Sequence, residues 1–222
     1  MNVLSGAKRV AKLDFLLIAN YAKYLIWYLV FPFFFFFGTK SLVGGMVTAM
    51  CMFSIAAAFT FQSEESENGG ELYDFLPVSR LQRVAGRYLS TLAVGAGGFV
   101  CSFVLQVLAL TVMRVGITGY EYAMAVLLAA GGFLFLTALQ IPAYYRYGAV
   151  KGRILSLLPI VVVAALCALG FVLLPDGISF VERVGAGGTL GIAGGFLAFG
   201  ALLFIGSVFV SKGILERKLQ GK

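Results

Sequence analysis

Six stretches of mostly apolar residues, each about long enough to cross a bilayer, dominate this chain: Leu16 to Phe37, Ser41 to Phe61, Tyr88 to Met113, Ala123 to Ala143, Ile154 to Leu174 and Gly188 to Val210. A spanning helix needs roughly 20 such residues. Hydrophobic residues make up 60% of the 222 and charged residues only 12%, which is too much apolar surface for one water-soluble core of this length. The expectation is an all-α membrane protein with six transmembrane helices. Residues 1–222 are expected to form a single domain, because no segment between the stretches could bury a core of its own. The first stretch is interrupted by Asn20 and Lys23 and lacks a small-residue cleavage site, so it is expected to stay in the mature protein.

The net charge is +7, and its placement matters more than its sign. With six crossings, four basic groups share one side: Lys8, Arg9 and Lys12; Arg80, Arg83 and Arg87; Arg146, Lys151 and Arg153; and Lys212, Arg217, Lys218 and Lys222. The other side keeps Lys40, Arg114 and Arg183, with Lys23 near an interface. The excess of Lys and Arg on cytoplasmic loops puts both termini inside. Topology and membrane lipid thus account for the positive charge, with no nucleic acid as partner.

Before the first crossing, Val3, Leu4, Ala7, Val10 and Ala11 recur at helical spacing beside Lys8 and Arg9. That pattern predicts a short amphipathic helix on the inner membrane surface. On the outer side Gly38, Thr39 and Lys40 make a tight connection after the Phe-rich run FPFFFFFG, and Pro175, Asp176 and Gly177 read as a turn. Cys51, Cys101 and Cys167 lie singly inside apolar stretches, without the paired spacing of a metal site.

The glycine-rich segment VGAGGTLGIAGG, Val184 to Gly195, has the wrong spacing for a dinucleotide fingerprint, with Leu190 where a glycine is needed, and lacks the Gly-Lys-Ser/Thr ending of a phosphate loop. Gly187, Gly191 and Gly195 instead recur every fourth residue, a spacing that lets two transmembrane helices approach closely. Gly44/Gly45, Gly97/Gly98 and Gly131/Gly132 are expected to serve similarly.

Catalysis has little to work with. The chain contains no histidine, which removes imidazole proton transfer and most catalytic zinc arrangements. Every acid, from Asp14 to Glu216, falls outside the apolar stretches or at their edges, whereas an ion-driven pump needs ionisable groups within the membrane. Gln106 and Gln140, inside the stretches, read as hydrogen-bond partners between helices. The chain is therefore expected not to be an enzyme and to carry no catalytic, cofactor or metal-binding residue.

What chemistry-bearing residues there are gather in ENGGELYDFLPVSR, Glu67 to Arg80. Gly69 and Gly70 break the chain and Pro77 stops it, leaving Glu71 to Leu76 as a short helix with Leu72, Phe75 and Leu76 close together and Glu71 and Asp74 exposed. Ser79 followed by Gln82 forms a capping box for a helix starting near Arg80. That helix puts Leu81, Val84, Ala85, Tyr88 and Leu89 on one face and Arg80, Arg83 and Arg87 on another, within reach of lipid phosphate or a protein acid. It is expected to lie along the inner interface before entering the third crossing.

The order of an acid-Asn-Gly segment, a short aromatic helix, LPVSR and an arginine helix ending in RYLS resembles the first cytoplasmic loop of ATP-binding cassette type-2 exporter permeases. It is similar in particular to bacterial permeases that export phenol-soluble modulins and related antimicrobial peptides. IPAYYRYGAVKGR, Ile141 to Arg153, resembles the loop after their fourth crossing. The chain departs from that pattern in having Gly69 and Gly70 where an aromatic residue often stands.

The resemblance implies a multi-pass permease of the bacterial plasma membrane that does no chemistry itself. A separate ATPase subunit would hold ATP and Mg and grip a short coupling helix. By resemblance the coupling residues are Glu67, Asn68, Glu71, Leu72, Tyr73, Asp74, Phe75, Leu76, Pro77, Val78, Ser79 and Arg80. Tyr145, Arg146, Lys151 and Arg153 belong to the second cytoplasmic loop. Two permease copies, identical or homologous, would rock between inward- and outward-facing states and move a hydrophobic or peptide substrate. The alternatives are a non-transporting immunity or sensor-scaffold protein, which would need no ATPase, and a channel or ion-coupled carrier, which the missing intramembrane acids disfavour.

Overall fold

A computed structural model describes residues 3–19, 21–65, 77–173 and 177–220, and every regular element among them is a helix. In chain order these are α1 (Val3–Ala19), α2 (Ala22–Leu25), α3 (Trp27–Thr39), α4 (Leu42–Ser54), α5 (Ala57–Glu65), α6 (Arg80–Val112), α7 (Gly119–Leu173) and α8 (Gly177–Gln220). Among the described residues, four runs are long and apolar enough to cross a membrane: Leu42–Glu65, Arg80–Val112, Gly119–Gly152 and Gly185–Lys218. Trp27–Thr39 is a shorter apolar helix. The fifth expected crossing is the continuation of α7 beyond a break at Gly148.

The first expected crossing, Leu16 to Phe37, is not one helix. α1 ends at Ala19, turns fall at Tyr21 and Ile26, and α3 starts at Trp27. Aromatic packing accounts for the interruption: Tyr21 and Tyr28 both stack on Phe59, with ring centroids 5.0 and 6.0 Å apart. The chain is drawn onto α5 instead of continuing straight.

α1 also differs from the short surface helix expected before Leu16. It is continuous for 17 residues and lies lengthwise on α6, pointing the same way. Gly6 abuts Gln82, Ala7 and Val10 abut Gly86, and Asp14 reaches Ser90.

α6 joins the arginine helix and the third crossing into one 33-residue rod. Its length of about 50 Å exceeds the roughly 30 Å of a hydrocarbon layer, so its first turns stand beyond it. The reciprocal cap is present: Ser79 Oγ accepts from Gln82 N–H at 3.3 Å, and Gln82 Oε1 accepts from Ser79 N–H at 2.8 Å. A second one starts α7, where Thr118 and Glu121 exchange bonds of 3.3 and 2.8 Å.

Helices in lipid gain little from hydrophobic burial against one another, so close fit and polar contacts hold them together. One member of each expected glycine pair provides the fit. A Cβ on Gly45 would strike Gln106, one on Gly98 the ring of Phe53, and one on Gly131 the ring of Phe196, whereas Gly97 and Gly132 face open space. Gln140 donates to Ser54 across α7 and α4 at 3.2 Å, as its position in the sequence suggested. Gln106 is buried with its amide against Gly45, and its Oε1 has no hydrogen-bond partner among the described residues.

Candidate functional site

Glu64 and Glu65 at the end of α5 and Arg80, Arg83 and Arg87 near the start of α6 flank the segment from 66 to 76. Arg83 donates to Glu64 Oε1 at 2.6 Å and Arg87 donates to Glu64 Oε2 at 2.8 Å, so one carboxylate clamps both arginines. Arg87 Nε stands 3.4 Å from Asp14 Oδ2, which also accepts from the Ser90 hydroxyl at 2.7 Å. The Arg87 guanidinium lies 4.4 Å over the ring of Phe61. Asp14 and Arg87 are wholly buried, at 0% exposure. Two cations against two carboxylates leave the cluster neutral, which lets such charges be buried.

The helices explain the convergence. Asp14 shares the buried face of α1 with Ala7, Val10, Ala11 and Ile18, and Arg87 shares that of α6 with Val84 and Tyr88. Pressing those faces together brings acid to base. The cluster ties α1, α5 and α6 at the root of the 66–76 segment, and Tyr145 of α7 adds a buried ring edge-on to Phe61 at 4.9 Å.

Glu65 makes a separate link. Its Oε1 accepts the Ala149 N–H at 2.8 Å, just past Gly148, whose φ of 80° and ψ of 179° break α7. A φ in that range suits glycine, and the Glu65 carboxylate occupies the space a side chain at 148 would need. Glu65 therefore caps the helix that restarts after the break, where exposed N–H groups favour an anion.

Of the residues singled out in the sequence, Glu67, Asn68, Glu71, Leu72, Tyr73, Asp74, Phe75 and Leu76 lie outside the described residues. Pro77, Val78 and Ser79 lead without regular structure into Arg80, the exposed first residue of α6. Tyr145 is buried; Arg146 is exposed, its guanidinium 5.3 Å over the ring of Tyr147; and Lys151 is exposed. Arg153 sits on the restarted helix.

Among the described residues, nothing beyond the helix's own backbone comes within 4 Å of a Cβ built on Gly187, Gly191 or Gly195. The close approach of α8 to α7 is made instead by Gly200, against the carbonyl of Gly131.

Of the two alternatives open to the arginines, Arg83 and Arg87 take the protein acid, turning inward to Glu64 and Asp14, while Arg80 is exposed. In the sequence Asp14, Glu64 and Glu65 look like edge charges. The signal for Asp14 is its register with Ala7, Val10 and Ala11 on α1.

Residues 11–216 match the model of a family described as ABC-2 family transporter protein. The chain belongs to that family. No curated protein and no solved structure matches it. As an ABC-2 membrane subunit it is a multi-pass protein whose family implies an ATP-binding cassette ATPase as partner. This ABC-2 permease also has an apolar cleft of about 190 Å³, lined by Val47, Cys51, Leu128, Gly132, Phe135, Leu136 and Phe196.

Proposed function

We propose that this permease exports a hydrophobic or amphipathic substrate, a peptide by the resemblance of its loops, across a bacterial plasma membrane, with Glu71 to Leu76 as the coupling helix gripped by the ATPase. The observation that carries the reading is the charge cluster joining Glu64 to Arg83 and Arg87 on the two sides of that segment. A push on a loop with splayed, mobile ends would be lost in the loop. Here both ends are clamped to each other and to α1.

ATP can shift the permease only if the coupling helix packs differently against the ATPase in the two states. The apolar cleft and the Phe-rich α3 offer surfaces for apolar side chains of the substrate. Two permeases with two ATPases complete the transporter, and the expected close contact along Gly187, Gly191 and Gly195 then falls to a neighbouring chain.

The test is Phe75→Asp or Leu76→Asp, purified with the ATPase. Transport in vesicles should be lost while expression and melting temperature stay those of the parent. Normal transport by either variant would overturn the coupling assignment.

A further inference from the structure

We infer that the groove between α1, α6 and α8 is a binding site for an anionic phospholipid, its acyl chain in the groove and its phosphate on lysines of α1. The groove encloses about 360 Å³ and is lined by apolar surface from Leu4 and Ala7 on α1, Ala85, Leu89 and Leu92 on α6, and Val208 on α8. Its floor includes the ring of Tyr88, whose hydroxyl is already occupied by Ser207 and Ser211 at 2.9 Å each. The groove thus offers hydrocarbon and no free hydroxyl at that point, which suits a fatty chain better than a polar ligand.

The charge stands at the right level. Asp14 meets Ser90, so Lys12, about half a turn earlier on α1, lies near the level of Tyr88. Ser211 bonds Tyr88, so Lys212 stands at that level on α8. Lys8 follows Leu4 by one turn on the same flank of α1. Lys8 and Lys12 are exposed, and among the described residues neither has an ion-pair partner, whereas Lys212 lies 3.7 Å from Glu216. Arg83 and Arg87, the cations that the sequence offered to lipid, are consumed by the internal cluster. Arg80 stands at the head of α6, before the groove lining at Ala85 to Leu92, so the cations beside the groove that are left for a phosphate are those of α1.

A lysine near an anionic surface contributes about 1 kcal/mol, or roughly fivefold in binding. The site gains over a bare basic surface because a chain in the groove holds the headgroup in place. Such a lipid would bridge α1 and α8.

The experiment places the protein in nanodiscs of equal phosphatidylglycerol and phosphatidylcholine, extracts it gently and counts retained lipid by native mass spectrometry. Phosphatidylglycerol should be retained preferentially. Lys8→Gln and Lys12→Gln should each reduce retention roughly fivefold. Ala85→Phe and Leu89→Trp fill the groove without changing charge and should also reduce it, with Lys40→Gln, on the connection between α3 and α4, as the unaffected control.

If the groove variants that fold normally retain as much lipid as the parent, binding is diffuse charge attraction and the site is wrong. Equal retention of phosphatidylcholine, or loss from groove filling with no effect of the lysines, would make the groove a neutral apolar pocket and overturn the proposal equally. Retention is read on the permease alone, so the outcome is independent of whether the coupling assignment holds.

Discussion

Glu65 Oε1 accepts the backbone N–H of Ala149 at 2.8 Å, joining the last residue of α5 to the restart of α7 across 84 positions of sequence. The bond links the two segments that the sequence marked as cytoplasmic loops. A displacement of one is thereby felt at the break in the other.

Removing that cap should loosen the restart without unfolding the bundle. Glu65→Ala is expected to lower stability by about 1 kcal/mol, in the usual range for losing a side-chain cap. Glu65→Gln keeps an acceptor and should cost less. Gly148→Ala should be worse than either, because it opposes the positive φ and collides with Glu65. Thermal unfolding in detergent ranks the three, and a harmless Gly148→Ala would contradict the break.

The charge cluster should respond to single and paired changes differently. Arg87→Met leaves Asp14 and Glu64 facing each other without their shared cation, and a broken buried pair typically costs about 3–5 kcal/mol. Expression and melting temperature should fall sharply. Adding Asp14→Asn to Arg87→Met should restore part of the loss, since the remaining Glu64 carboxylate is still matched by Arg83. A double variant no better than the single one would mean that packing over Phe61, not charge balance, sets the effect.

The glycines divide into two classes that identical substitutions should separate. Gly98→Val drives a side chain into Phe53 and should cost about 1–3 kcal/mol as overpacking. Gly191→Val meets nothing among the described residues and should leave the melting temperature of the isolated permease unchanged. Fluorescence-detected size exclusion with a heating step distinguishes them in small samples.

Tyr88 fastens α6 to α8 through Ser207 and Ser211. Tyr88→Phe should cost about 1 kcal/mol, the net worth of an ordinary hydrogen bond, since Ser207 keeps its bond to the Phe204 carbonyl. Ser207→Ala with Ser211→Ala added to it should cost little more, because all the partners are then gone. Strict additivity of the changes would argue against a shared contact.

Much of the architecture was legible because lipid imposes long apolar runs with few alternatives. The helices, the Ser79–Gln82 cap and the Gln140 bridge all follow from local spacing. What escaped was non-local. The interruption between Ala19 and Trp27 depends on Phe59, more than thirty residues away along the chain. Asp14 and Glu64 look like solvated edge acids until helices separate in sequence bring Arg87 between them. Which glycine of each pair makes the contact depends on helix rotation, and the repeat Gly187, Gly191 and Gly195 has the right spacing on a face that meets no neighbour among the described residues. Spacing identifies a smooth face and leaves open what lies against it.

The parallel docking of α1 on α6 also sets an order of events during synthesis. Asp14 must wait for Ser90, 76 residues later, before its buried bond can form. At roughly 5–20 residues per second that is a delay of several seconds. Through that interval α1 has neither its ionic partner nor the helix it rests on. Docking of α1 is therefore a late step, completed only once α6 has been made, although α1 itself is made well before it.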